Sequence, residues 1–324
     1  MAGDAMDAVA AEALAHYELS PSATASLINV SENWTYRVDD PATGLRAALR
    51  LHRPGYHDAR EIESELVWSE ALRDEGVVET PSVLPTRAGA RVLSLPGAGP
   101  GPLQHAVLFD WVEGGAPTTE DVPSFRRLGA VSARMHEHAR RWRRPSSFTR
   151  FAWDYETTLG AQGHWGRWQD GLGMTSGARA TLARLDETIR RRLERYGTGP
   201  ERFGLAHADL RIANLLVAGD RTIVIDFDDC GLAWFMYDWA TAVSFIEDHP
   251  AVPELQAAWL EGYRSVAPLG AGDEAELATF VLLRRLLLVA WIGSHHTFAT
   301  EAAELGAGFT EGTCALAETY LSTL

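Results

Sequence analysis

The chain has 324 residues, 46% of them hydrophobic, and a formal net charge of −15, which is length for about two domains and apolar material for a sizeable core. The acidic balance argues against a nucleic-acid partner, because binding a phosphate backbone needs a basic face, and it favours a cationic or neutral ligand. Its two cysteines, Cys230 and Cys314, lie far apart and in no metal-like pattern, so neither a disulfide scaffold nor a zinc site is indicated, which fits a reducing cytoplasm.

At the amino terminus, Asp4 and Asp7 stand where a signal peptide would carry positive charge, and the stretch reads as a short amphipathic helix. SLINVSENWTYRV and LRAALRLHRP follow as strand-like runs separated by the turn signal DDPATG. Three strands are expected, breaking near Ser31 to Asn33 and at Pro41. DAREIESELVWSEALRDEG then reads as a helix ending at Gly76, with Ile62, Glu65, Ser69 and Leu72 on one face, so that Glu65 points inward.

Pro81 to Gly101 is rich in turn formers, with a strand candidate at Ala90 to Leu95. HAVLFDWVEGGAP is an apolar strand running into acid and glycine. From Thr119 the chain turns helical: Phe125, Leu128, Val131 and Met135 recur at core spacing, and His136 reads as a buried, satisfied histidine. Phe148 to Gly173 is loop-like and carries Trp153, Trp165 and Trp168, which suit either ordinary packing or the wall of an acceptor pocket. After Trp239 come closing helices. The most apolar segment, Phe280 to Ile292, contains Arg284 and Arg285, is too short to span a bilayer, and reads as a buried core helix.

The stretch Phe203 to Trp239 organises the rest. Leu215 to Val217 and Thr222 to Phe227 flank a turn at Ala218 to Asp220 and read as a β-hairpin, with polar residues at its ends. Asp209 and Asn214 stand at the spacing D-x-x-x-x-N, and Asp226 follows where the second strand runs out. Phosphoryl transfer asks for that order: a carboxylate to orient the acceptor hydroxyl, then an amide oxygen and a second carboxylate to hold Mg²⁺ against nucleotide phosphates. His207 would brace the loop. Asp228, Asp229, Asp238, Glu247 and Asp248 place further acids nearby, as an acidic floor for an amine-bearing acceptor or, for Asp238, as a support for the loop.

HADLRIAN followed by VIDFDD resembles the catalytic and metal-binding loops of the aminoglycoside phosphotransferase and choline kinase family, relatives of the protein kinases. The resemblance implies an α+β, protein-kinase-like two-lobed fold: a strand-rich lobe over residues 1–114 and a helical lobe over 115–324, with nucleotide between them. It makes Asp209 the catalytic base and Asn214 and Asp226 the Mg²⁺ ligands, with ATP as co-substrate. Arg50 stands where the family places a lysine for the α- and β-phosphates, and every one of the 29 basic residues in the chain is arginine. Glu65 is its expected partner.

Ser31 falls in the glycine-free turn over the phosphates, and Phe109 and Trp111 in the hinge that receives adenine through backbone groups. The expected activity is transfer of the γ-phosphate to a hydroxyl of a small, amine-bearing acceptor such as an amino alcohol, amino acid or aminoglycoside. The alternatives are a stress-response type Ser/Thr protein kinase and a non-catalytic nucleotide-binding scaffold; a metal-dependent phosphohydrolase lacks a histidine-rich two-metal pattern. No membrane partner is expected, and the sequence leaves the oligomeric state open.

Overall fold

The computed structural model describes residues 2–30, 33–97, 102–118, 121–219, 221–297 and 299–324. It divides into two compact units, the first formed by residues 1–114 with 144–149, the second by 115–143 with 150–324.

The first unit contains α1 (Ala2–Leu14), β1 (Thr24–Val30), β2 (Trp34–Asp40), β3 (Leu45–Leu51), α2 (Ala59–Asp74), β4 (Val83–Leu84), β5 (Leu93–Leu95) and β6 (Gln104–Asp110). The strands form one antiparallel sheet in the order β1-β2-β3-β6-β4, with β5 also on β6. Met6, Val9, Ala10, Ala13 and Leu14 of α1 are buried with Tyr36, Val38, Leu49 and Leu108 of the sheet, so the amphipathic stripe of α1 is spent on this core. Complete burial of each large apolar side chain contributes roughly 1.5–3 kcal/mol.

Asp58 starts α2 with a reciprocal capping box to Glu61, and Ile62 and Leu66 pack on Val107. The strand expected over Ala90 to Leu95 is shorter, because Thr86 to Ala90 close into a turn: the Thr86 N–H donates to the Ala90 carbonyl at 2.8 Å and Gly89 takes φ +81°. Val83–Leu84, within the turn-rich segment, instead pairs with β6.

The second unit contains α3 (Val122–Arg141), β7 (Ala152–Trp153), α4 (Tyr155–Thr158), α5 (Ser176–Tyr196), β8 (Phe203–Ala206), β9 (Leu215–Ala218), β10 (Arg221–Val224), β11 (Gly231–Trp234), α6 (Tyr237–Ala242), α7 (Val252–Arg264), α8 (Ala271–Glu274), α9 (Leu277–His295), α10 (Thr300–Leu305) and α11 (Gly308–Leu321). β9 and β10 form the hairpin, paired from Leu215 with Val224 to Ala218 with Arg221. β11 lies between β7 and β8.

Phe125, Leu128, Val131 and Met135 of α3 are buried. α3 meets α7 at backbone distance: a Cβ on Gly129 would lie 1.9 Å from the Trp259 carbonyl oxygen, and one on Gly262 would lie 1.8 Å from that of Arg126. The apolar run Phe280 to Ile292 extends further than its sequence alone suggests. The helical stretch Ala271–His295 is long and apolar enough to cross a membrane, yet 78% of its most apolar window is buried inside the protein; it is a core helix of this unit.

Candidate active site

In the second unit, β8 delivers the chain into a loop, Ala206 to Arg211, whose backbone is held in an unusual shape. Ala208 has φ +63°, a conformation that side chains other than glycine resist. Its N–H donates to Asp238 Oδ1 at 2.8 Å, and Asp238 Oδ2 lies 2.9 Å from His136 Nε2. His136 in turn meets the Tyr263 hydroxyl at 3.1 Å. Asp238 and His136 are both fully buried, and burial holds the His136 pKa below its ordinary value although Asp238 pulls the other way. Of the two roles open to Asp238, the contacts match support of the loop.

His207 is fully buried against Phe227, with ring centroids 4.6 Å apart. Its Nε2 lies 3.2 Å from the Ile225 carbonyl, and its Nδ1 accepts from the Asp209 N–H at 3.4 Å. One imidazole thus ties the loop bearing Asp209 to the strand end that delivers Asp226.

Asp209 keeps a solvent-facing edge, its side chain being 16% exposed. Both of its oxygens are held: Oδ1 accepts from Arg284 Nη2 at 2.7 Å, and Oδ2 from Asn214 Nδ2 at 3.0 Å. Arg211 Nε stands 3.7 Å from Oδ2. The amide of Asn214 also donates to the Asp209 carbonyl at 2.8 Å, which orients its side-chain oxygen away from those acceptors. Asp226 is exposed, just beyond β10, at φ +61°, a strained setting of the kind found where function over-determines the backbone. An amide oxygen and an exposed carboxylate are hard donors of the type Mg²⁺ takes, so this donor set fits the ion.

The remaining acids divide. Glu247 is buried and accepts from Arg285 Nη1, so its charge is spent inside the unit and does not belong to an acidic floor. Burial pushes its carboxyl pKa up, against the pull of Arg285. Asp228 is buried, and its backbone carbonyl accepts from Arg150 Nη2. Asp229 is half-buried and its carbonyl accepts from Trp153 Nε1 at 2.7 Å. Asp248 is exposed. Trp153, Trp165 and Trp168 are all buried, which is packing, although Trp165 also covers the Arg284 guanidinium at 5.1 Å.

Sequence reasoning missed Arg284 as a contact of Asp209. It also missed Tyr237 and Ser244, which accept from Arg284 Nη1 at 3.2 Å and Nε at 3.3 Å. The available signal was the charge itself: an arginine within a leucine run must find partners.

In the first unit, Arg50 on β3 and Glu65 on α2 are both buried. Arg50 Nη2 spans the two carboxylate oxygens at 2.7 and 2.8 Å. The guanidinium lies 5.2 Å from the centre of the Phe109 ring. Phe109 is within β6, paired with Ala48 on one side and Val83 on the other, so its backbone already serves the sheet; Trp111 follows after the strand has ended. Ser31 lies outside the described residues.

The APH phosphotransferase enzyme family model matches residues 25–272. The chain is 48% identical to the microcompartment-associated aminopropanol kinase, with a TM-score of 0.90 and 98% of each chain covered. The amicoumacin kinase of Bacillus subtilis is 24% identical over 326 residues, covering 93% of this chain and 90% of that one. The amicoumacin kinase hAmiN, solved with AMP-PNP, Ca²⁺ and Ami, has a TM-score of 0.76 at 20% identity, covering 95% of this chain and 92% of that one. With a strand-rich first unit, a mainly helical second unit and a family match over most of its length, the chain belongs to the APH phosphotransferase enzyme family of kinase-like fold and is a small-molecule phosphotransferase with a hydroxyl acceptor.

Proposed function

We propose that this enzyme transfers the γ-phosphate of ATP to the hydroxyl of a small amino alcohol of the aminopropanol type. The observation that carries the chemistry is Asp209, a carboxylate with one open edge and both oxygens fixed from behind by Arg284 and Asn214. The acceptor oxygen forms a bond to the γ-phosphorus as the bond to the β-phosphate oxygen breaks; ADP leaves, and the hydroxyl proton passes to Asp209. Asn214 and Asp226 would hold Mg²⁺, which would neutralise phosphate charge. Arg50, fixed by Glu65, holds nucleotide phosphate in place of the usual lysine. The acceptor class rests on the 48% identity to the aminopropanol kinase across the whole chain. The well-formed Arg50–Glu65 pair favours a working enzyme over a non-catalytic scaffold.

The test is ADP release from Mg²⁺-ATP with aminopropanol, ethanolamine, choline, homoserine, an aminoglycoside and a generic Ser/Thr protein. Turnover with aminopropanol well above the others is expected, and Asp209→Asn should lower it by roughly 10²–10⁴-fold, the usual span for a general base, with nucleotide affinity unchanged. Full activity in that variant, or turnover only with the protein substrate, would overturn the reading.

A further inference from the structure

Arg284 sits within α9 in the sequence Leu-Leu-Arg-Arg-Leu-Leu-Leu. It is 2% exposed, and moving a guanidinium out of water costs several kcal/mol that a leucine at the same place would not incur. Its three nitrogens are distributed to three groups: Nη2 to Asp209, Nη1 to the Tyr237 hydroxyl and Nε to Ser244 Oγ. The rings of Trp165 and Tyr237 cover it at 5.1 and 5.8 Å, contacts that recover part of the desolvation cost. Burial works against its charge, but Tyr237 and Asp209 outweigh that and hold its pKa above the ordinary arginine value.

The next residue offers an internal comparison. Arg285 is also buried, yet its partners are Glu247, Thr313 and the Phe309 ring, all interior groups. Arg285 therefore joins parts of the core. Arg284 alone of the two directs its charge at a carboxylate that still faces solvent.

We infer that Arg284 is the positioning residue for Asp209: it sets the rotamer of the carboxylate from behind so that the open edge meets the acceptor hydroxyl. The inference rests on Asp209 being the base. Tyr237 and Ser244 complete the support by fixing the guanidinium plane, so that Asp209 Oδ1 is held by a buried, fixed donor, while the partly exposed Arg211 stands 3.7 Å from Oδ2. The Asn214 amide restrains the second oxygen; among the described residues, without Arg284 the side chain retains one direct side-chain hydrogen bond, from Asn214, and the looser ion pair with Arg211 at 3.7 Å. A misplacement of about 1 Å in such a group costs on the order of 10²-fold in rate.

The experiment compares wild type, Arg284→Met, Arg284→Lys, Asp209→Asn and the double variant Asp209→Asn/Arg284→Met, with Mg²⁺-ATP and aminopropanol. Methionine keeps the length of the buried stem and removes the charge. Arg284→Met is expected to lower kcat about a hundredfold with KM for ATP within twofold, and Arg284→Lys to recover at least tenfold of that loss. In the Asp209→Asn background the same change should cost less than threefold, because the two residues act as one unit. A crystal structure of Arg284→Met should show the Asp209 carboxylate in a different or split rotamer. Equal losses in both backgrounds, or an unchanged Asp209 rotamer with kcat within threefold of wild type, would overturn the inference. Full activity in Asp209→Asn would instead defeat the assignment of the base, and the rotamer in the Arg284→Met crystal would still report on positioning.

Discussion

Arg50 and Glu65 form a buried ion pair within the first unit, with one guanidinium nitrogen bridging both carboxylate oxygens at 2.7 and 2.8 Å. β3 and α2 are thereby joined through charge, while the apolar contacts of Ile62 and Leu66 with Val107 join α2 to β6. In a chain without lysine, arginine brings a planar, always charged group to this position, and it differs from lysine in how it engages phosphate.

Removing the carboxylate should therefore affect stability and ligand binding together. Glu65→Ala strands a buried cation, and breaking such a pair costs about 3–5 kcal/mol. A lowered urea midpoint with unchanged slope, together with a raised KM for ATP, is the expected result. A variant as stable as wild type would show that the pair contributes nothing net to the first unit.

Asp226 offers a separation of backbone from ligand chemistry. Its φ of +61° suits asparagine almost as well as aspartate, so Asp226→Asn should fold with a melting temperature near that of wild type. The lost carboxylate should abolish the Mg²⁺-dependent part of nucleotide stabilisation, the whole of which amounts to about 2.7 kcal/mol at a hundredfold excess of ligand over Kd. Thermal shift with ATP, with and without Mg²⁺, reads this directly. A retained Mg²⁺-dependent shift would remove Asp226 from the ligand set.

These features differ in how far the sequence announces them. Glu65 was legible because helical periodicity puts it on the face of Ile62 and Leu72, and both neighbours are buried. Asp209, Asn214 and Asp226 stood out as candidates because their spacing is local: the first two come just before the hairpin and Asp226 just after it. Arg284 was not, since its partner is 75 positions away in the chain and the surrounding leucines dominate the pattern. For Asp238 two alternatives stayed open, because its contact with the loop spans 30 positions to Ala208. The charge of Glu247 gave no hint that Arg285 would consume it. Local pattern carries what a helix or hairpin presents; pairings between distant elements depend on the packing itself.

The close approach of α3 and α7 makes a sharp prediction. Gly129→Ala and Gly262→Ala each push a methyl group into a backbone carbonyl of the facing helix, at 1.9 and 1.8 Å, so the helices must separate. Alanine favours helix by up to about 1 kcal/mol over glycine, but overpacking costs typically 1–3 kcal/mol and here meets rigid backbone. Both variants should melt well below wild type in calorimetry. Stabilisation by either would mean that the helices yield without cost.

The His136–Asp238 brace predicts how stability depends on pH. His136 is fully buried, and desolvation lowers its pKa more than Asp238 raises it, with Arg140 and Glu137 acting in opposite directions from farther away. The unfolded chain takes up the proton near the ordinary histidine value of about 6.5, whereas the native state resists it. Above that pH both states are neutral at this position and the stability it supports is fully present; below it the unfolded state binds more protons and the native state loses ground. The slope from this one group is at most about 1.4 kcal/mol per pH unit. Urea unfolding between pH 8 and pH 5.5 should show stability falling below about pH 6.5, and His136→Gln should remove that part of the slope while lowering stability at pH 8. Because Asp238 also holds the Ala208 N–H, acidification should disturb the loop bearing Asp209 over the same interval, visible as faster amide exchange at Ala208. An identical slope in wild type and His136→Gln would show that the histidine takes up its proton without disturbing the native state.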